Sequence, residues 1–386
     1  MIKSIIQSIL DSDLYKLTMQ QTVFHQYPNA KVKYIFKLRN DGVNLAFLRD
    51  AIVEELSNWD KLFLTSQEAS FLRGLGFFQE DYIEYLAQYR FDPSLVNVFV
   101  DRGGNLQIKI EGPWLDTILY EVPLLAIINE LYFRETSNLP EIQAEGSKRL
   151  LEKVEMLKKH PRLMLAEFGT RRRYSREWQE YVFGVLNDLP NVVGTSNVRL
   201  AMDNDTKPIG TMAHEYLCAH LGLVDNLGTA QKRALHVWLQ EYGTNLGVAL
   251  TDTFTTPAFF KDFGHVLANA FSGVRHDSGD PIKFGIDTIA HYESLGIDPR
   301  TKTIVFSDGL DIPEAIRIFE TFTGLIGISF GVGTNLTNDL GPKALNIVIK
   351  LIECDDTYCV KLSDNPGKAI GNAKQIDNVR EIYGAK

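Results

Sequence analysis

Val274-Arg275-His276-Asp277-Ser278-Gly279-Asp280-Pro281 sets a cation, two carboxylates and a tight turn directly after an apolar run and ahead of an amphipathic stretch over 281–295. That order reads as strand, polar loop, helix. The same unit recurs around it. Apolar runs end at Val193, Leu250, Val274, Phe306 and Phe330, and helical patterns over 229–242, 257–271, 281–295 and 312–322 lie among them. Strands joined by helices run parallel, because each connection returns the chain to the same end of the sheet. The fold class predicted from residue 136 onward is therefore α/β, a (β/α) barrel.

Thr195 and Asn197, Asp252 and Thr253, Arg275 and Asp277, Asp308 and Asp311, and Gly331 and Gly333 each follow an apolar run directly. In a barrel, the loops after the strands converge on one mouth, where active sites are built. Asp, Thr and Gly also stand in such places simply to cap the next helix. Five such ends in succession favour a shared site over five separate caps.

The first third of the chain has a different rhythm. A helix over Ser66–Gly74 mixes with β-rich runs at 32–38, Val96–Val100 and 106–110, which predicts an α+β domain over residues 1–135. The apolar stretch 114–133 reads as one packed helix and 141–159 as a charged helix leading into the barrel, which spans 136–344.

At 386 residues and 45% hydrophobic, the chain is long and apolar enough for two domains. A net charge of −9 argues against a surface that tracks nucleic acid, so any anion site must be concave and local. The three cysteines, Cys218, Cys354 and Cys359, show no CxxC spacing, which argues against disulfides or zinc and for a reducing, cytoplasmic setting. Residues 1–10 carry no signal-peptide pattern, and no apolar run approaches the roughly 20 residues that a membrane helix needs.

Several residues could carry chemistry. Phe330-Gly331-Val332-Gly333-Thr334-Asn335-Leu336 lets backbone amides approach an anion. It lacks the full GxGxxG, and the chain has no GxxxxGK[ST], so neither a dinucleotide fold nor a P-loop is supported. Arg171-Arg172-Arg173 could be a solvated face or could turn a guanidinium inward for carboxylate or phosphate; Arg39, Arg275, Lys361 and Lys368 are further cationic candidates. Asp252, Asp277 and Asp308 suit ribose hydroxyls or a hydrated Mg2+, or else are three helix caps. His214 follows the small-residue run Pro208-Ile209-Gly210-Thr211-Met212-Ala213 and could be a nucleophile, although spacing alone does not select it among eight histidines.

Taken together, Asp13-Leu14-Tyr15-Lys16-Leu17-Thr18-Met19, Gly112-Pro113-Trp114-Leu115, Glu167-Phe168-Gly169-Thr170-Arg171-Arg172-Arg173, Gly194-Thr195-Ser196-Asn197, Gly210-Thr211-Met212-Ala213-His214-Glu215, the stretch at 275–281, and Lys361-Leu362-Ser363-Asp364 resemble the bacterial-type nicotinate phosphoribosyltransferase family. The resemblance covers nearly the whole chain. It implies the irregular barrel of the type-II phosphoribosyltransferases, with residues 345–386 returning to the N-terminal domain. It implies conversion of nicotinate, phosphoribosyl pyrophosphate, ATP and water to nicotinate mononucleotide, pyrophosphate, ADP and phosphate, in NAD salvage, through a phosphohistidine at His214. Asp252 and Asp277 would assist His214. Tyr15, Phe168, Arg171, Thr195 and Arg275 would surround nicotinate; Arg39, Asp308, Gly309, Gly331, Gly333, Thr334, Lys361 and Lys368 would hold the phosphoribosyl and phosphate groups. Mg2+ would be held mainly by pyrophosphate and water. Related enzymes complete the pocket with a tyrosine from the neighbouring subunit, so the resemblance also implies a homodimer. Two rivals stand beside it: a phosphoribosyltransferase for nicotinamide or quinolinate, and a non-catalytic nucleotide sensor on the same barrel.

Overall fold

Lys31–Leu38 alternates exposed and buried side chains, the pattern of a strand with one covered face, and forms β1. The computed structural model describes residues 4–365, 367 and 369–384. Along the chain there follow β2 (Val96–Val100), β3 (Leu106–Pro113), β4 (Met164–Glu167), β5 (Val192–Thr195), β6 (Val248–Leu250), β7 (Gly273–His276), β8 (Thr303–Phe306), β9 (Gly327–Val332), β10 (Ile347–Cys354) and β11 (Thr357–Tyr358). An antiparallel sheet has the order β11-β10-β1-β3-β2, and a parallel sheet the order β5-β4-β9-β8-β7-β6.

The parallel sheet curls until its edges, β5 and β6, stand on either side of one extended segment. Pro208 makes an isolated bridge to Thr195, and the Ile209 amide donates to the Thr195 carbonyl at 2.8 Å. On the other side the Thr211 hydroxyl donates to the Val248 carbonyl at 2.9 Å. Pro208 has no amide hydrogen, so this segment cannot continue a ladder along its full length. The barrel is irregular for that reason, and the segment filling its gap is the one that leads into His214.

Three sequence expectations need correction. The stretch 114–133 is two helices, Trp114–Thr117 and Glu121–Thr136, because Pro123 lacks the amide to extend a helix from the preceding turn and is tolerated only within a first turn. The stretch 257–271 is likewise split into Thr256–Asp262 and His265–Ala270, with Gly264 extended between them. A sixth barrel strand, β4, went unread: it is four residues long and ends in a buried acid, so it shows no clean apolar run.

The C-terminal part divides. β10 lies against β1, adding to the first sheet, whereas the helix Ala373–Tyr383 packs on the barrel side, where Tyr383 stacks on Phe254 with ring centroids 4.5 Å apart. Val379 and Tyr383 join Phe254 and Leu362 in a small apolar cluster of their own, which fixes that helix away from the first sheet. No helix among the described residues is long and apolar enough to cross a membrane.

Candidate active site

His214 is the first residue of the helix His214–Ala219, immediately past the gap-filling segment, so its ring hangs at the barrel mouth. Its Nδ1 lies 2.9 Å from the Thr253 hydroxyl. Nε2 faces three charged groups: Asp277 at 2.9 Å, Lys361 Nζ at 2.7 Å and Asp252 at 3.5 Å. Burial and the Lys361 ammonium push the imidazole down to about 4 against the opposing pull of the two carboxylates, so the ring is neutral at pH 7 and keeps a lone pair. Burial pushes Asp277 up, but the bond to His214 and the Arg275 charge outweigh it and hold the carboxyl well below its usual range. Asp252 is lowered in the same way, with His214 and Lys361 overcoming burial. Lys361 Nζ lies 3.1 Å from Asp252, and Ser278 donates to the same carboxylate at 2.6 Å.

The cap reading holds for some strand-end acids and not for others. Asp280 accepts from the amides of Ile282 and Lys283, and Asp311 from Glu314, as helix caps. Asp252 and Asp277 spend their oxygens on His214, Lys361, Ser278 and Ser307 instead.

A cavity of about 400 Å³ opens beside His214. Tyr15, Phe168, Arg171, Arg275 and Asp277 line it, as do Arg39, Asp308, Gly309, Gly331, Gly333, Thr334 and Lys361. Of the three arginines, Arg171 and Arg172 face this cavity, while Arg173 is buried in a forked pair with Asp11 at 2.7 and 2.8 Å. Gly331 is needed for close approach: a Cβ there would stand 2.3 Å from the Phe168 ring. Thr195 does not reach the cavity. It is fully buried, and its hydroxyl donates to Glu167 at 2.6 Å. Lys368 lies outside the described residues. Tyr15 of this chain lines the cavity.

A model of the nicotinate phosphoribosyltransferase family matches residues 163–386, and the model of that family's N-terminal domain matches residues 10–129. A nicotinate phosphoribosyltransferase of Cupriavidus necator is 47% identical over 387 residues, 98% of each chain. The chain belongs to the nicotinate phosphoribosyltransferase family. Crystal structures of nicotinate phosphoribosyltransferases share its fold: that of Porphyromonas gingivalis at TM-score 0.93 and 38% identity, covering 98% of this chain and 100% of that one, and that of Vibrio cholerae at 0.94 and 36%, covering 100% and 95%.

The sequence reading left open which of the three arginines turns inward, and among the charged wall residues it did not single out are Asp13, Glu121 and Lys350. Lys350 stands in the middle of β10, where it interrupts Ile347-Val348-Ile349-Lys350-Leu351-Ile352. That interruption was the available signal, but β10 belongs to the other sheet, and the strand-end argument does not reach it. Burial, with Lys361, Arg171 and Arg39 against the opposing Glu121, lowers the Lys350 ammonium to about 8. Burial together with Arg171 and Arg39 brings Arg172 down to about 10. Glu121 lies 2.7 Å from the buried Lys16 ammonium, which also bonds Glu215, the neighbour of His214.

Donor atoms of His214, Asp252 and Asp277 fall within 4.8 Å of one another, close enough to suggest a cation. The positive charge at that point already comes from Lys361, 2.7 Å from the imidazole and 3.1 Å from Asp252. Mg2+ demands an octahedron of oxygens, so this donor set does not fit a magnesium caged by protein.

Proposed function

We propose that the chain joins nicotinate to the ribose of phosphoribosyl pyrophosphate, yielding nicotinate mononucleotide and pyrophosphate in NAD salvage, and that ATP drives the step through a phosphohistidine at His214. The observation that carries this reading is the neutral imidazole held between Thr253 and Asp277 at the rim of a cation-lined cavity.

In the reactive tautomer the ring proton sits on Nδ1 and points at Thr253 while Lys361 donates to Nε2; the hydrogen bond from Nε2 to Asp277 belongs to the other tautomer, so the ring shifts its proton before it attacks. Nε2 attacks the γ-phosphorus of ATP, the bond from that phosphorus to the bridging oxygen breaks, and ADP leaves with the electron pair. The ring, still protonated at Nδ1, becomes cationic; Asp252 and Asp277 stabilise it. Lys361 follows the phosphoryl oxygens.

In the transfer step the pyridine nitrogen of nicotinate forms a bond to the anomeric carbon while the carbon–oxygen bond to pyrophosphate breaks. No proton need move. Positive charge grows on the ribose ring as negative charge grows on the leaving group, so the walls act chiefly by placement and electrostatics. Phe168 and Tyr15 hold the pyridine ring, Arg275 or Arg171 its carboxylate, and Arg39, Arg172, Lys350 and Lys361 the phosphates. Hydrolysis then resets the enzyme: water attacks the phosphorus, the nitrogen–phosphorus pair returns to Nε2, one proton stays on phosphate and the other passes to solvent.

Mg2+ belongs to this proposal as a companion of the pyrophosphate rather than as a resident of the protein. The three cysteines, buried and unpaired, support a reducing cytoplasmic setting. A homodimer, with a tyrosine of the neighbouring subunit completing the pocket, is proposed on the family resemblance alone. The test is incubation with γ-labelled ATP. Wild type should acquire an acid-labile, base-stable label and His214→Asn none, with coupling of ATP hydrolysis to product lost. A variant that still takes up the label would remove His214 from the mechanism.

A further inference from the structure

β4 ends in Glu167, whose carboxylate is fully buried at a position where strands of a parallel barrel are normally apolar. Three donors from three separate elements meet it. The Gly169 amide of the following loop bonds one oxygen. The Thr195 hydroxyl at the end of β5 bonds the other at 2.6 Å, and the Gln179 amide, on the helix Arg176–Asn187, bonds that same oxygen at 3.0 Å. Gln179 also donates to Thr170 at 3.1 Å and accepts from Arg173 at 3.1 Å, which ties the loop to the Asp11 pair.

The loop so held carries Phe168, Arg171 and Arg172 into the cavity wall. An apolar residue at 167 would fill the strand equally well; what the carboxylate adds is a fixed bend directly after it. The bend is tight: a Cβ at Gly169 would stand 2.1 Å from the Thr337 hydroxyl oxygen and 2.8 Å from a Glu167 oxygen.

We propose that Glu167 is a positioning residue for the pyridine substrate, clasping residues 168–171 so that the Phe168 ring and the Arg171 guanidinium keep the pose that receives nicotinate. Thr195 acts through Glu167, one step behind the wall. The proposal rests on the assignment of nicotinate to that wall. All three partners donate, so the clasp is built for the ionised carboxylate, and removing its charge loosens the loop rather than the fold. Burial raises this carboxyl to about 7, with the Asp13 carboxylate adding to the upward push against the three hydrogen bonds.

Glu167→Gln keeps the volume and loses the charge. The KM for nicotinate should rise about tenfold while kcat stays within about twofold, the split expected when substrate placement and not chemistry is disturbed. Labelling of His214 by ATP should not change, because that ring sits on other elements. Thr195→Val, which deletes one donor, should raise the same KM about threefold, and Thr195→Ser should restore it. This pair carries the test if Glu167→Gln does not fold. A folded Glu167→Gln enzyme with unaltered KM, or one whose kcat falls at constant KM, overturns the positioning role. If wild type itself shows no saturation with nicotinate in the presence of phosphoribosyl pyrophosphate, the functional reading falls first and takes this one with it.

Discussion

On the His214 side of the cavity each charge has its opposite within reach: Lys361 lies 3.1 Å from Asp252, and Asp277 sits between His214 and the charge of Arg275. Elsewhere on the wall Arg172 and Lys350 stand near Arg39 and Arg171, with Glu121 the opposing acid they share, and burial together with like charge drives both below their ordinary values. Among the described residues the Arg172 guanidinium bonds neutral acceptors, the Ile347 carbonyl at 3.3 Å and the Asn346 side chain at 3.2 Å. The Lys350 ammonium has no hydrogen-bond partner among the described residues. The first wall is finished without substrate; the second is completed only by an anion. Buried cations of one sign raise affinity for a phosphate because the repulsion they suffer when empty is relieved on binding. On the reaction proposed above, phosphorylation would belong to the compensated wall and phosphate capture chiefly to the uncompensated one.

The largest effect that this contrast predicts is at Asp277. Asp277→Asn removes the carboxylate 2.9 Å from Nε2 and leaves Asp252 as the remaining acid against Arg275 and Lys361. Turnover should fall by about 10²–10³, the scale on which removal of one preorganised electrostatic group is felt. Its neighbour Asp280 gives the contrast, since it caps the helix Pro281–Ser294 and faces solvent. Asp280→Ala should cost about 1 kcal/mol of stability and leave kcat unaltered. Steady-state kinetics with thermal melts of both variants checks the pair; equal, mild effects would return Asp277 to the class of ordinary caps.

The second wall should respond in KM rather than in kcat. Lys350→Met retains the apolar stem inside β10 and deletes the charge. The KM for phosphoribosyl pyrophosphate should rise about thirtyfold, the equivalent of roughly 2 kcal/mol for a charge-assisted contact in a partly desolvated site. Nicotinate KM should move much less. A change confined to kcat would mean that Lys350 serves the reacting centre and that the division between walls is wrong.

How much of this was legible in the sequence follows the same division. The strand-end rule placed Asp252, Asp277, Arg275 and Gly331 together because it depends only on the order of strands and helices, which apolar spacing records. It could not separate Asp277 from Asp280, three residues apart in the same loop, since capping is decided by which amides turn toward the carboxylate. His214 stands on no barrel strand; its motif identified it, and the structure adds that the motif fills the gap between β5 and β6. The resemblance implied that Thr195 touches nicotinate, and it does stand at a strand end; yet a strand-end residue turns to either face, and this one turns to Glu167. That Lys350 and Arg172 line one cavity was illegible, because its wall joins the segment after β4 to the middle of β10 in the other sheet.

The smallest predicted effect is also the most specific to the uncompensated wall. A lysine lowered to about 8 is cationic at pH 7 and loses its charge as pH rises through that value, so any affinity it lends to an anion is present below pH 8 and lost above it. Between pH 7 and pH 9 the KM for phosphoribosyl pyrophosphate should therefore rise, by at most about tenfold for a single linked proton. His214, at about 4, is already neutral throughout this range and contributes nothing to the slope. Arg172, at about 10, begins to add to it only near the upper end. Lys350→Met should abolish the rise below pH 9 while starting from a higher KM. A slope that persists in that variant would assign the proton to another group and leave Lys350 as a cation whose lowered affinity for its proton has no bearing on substrate.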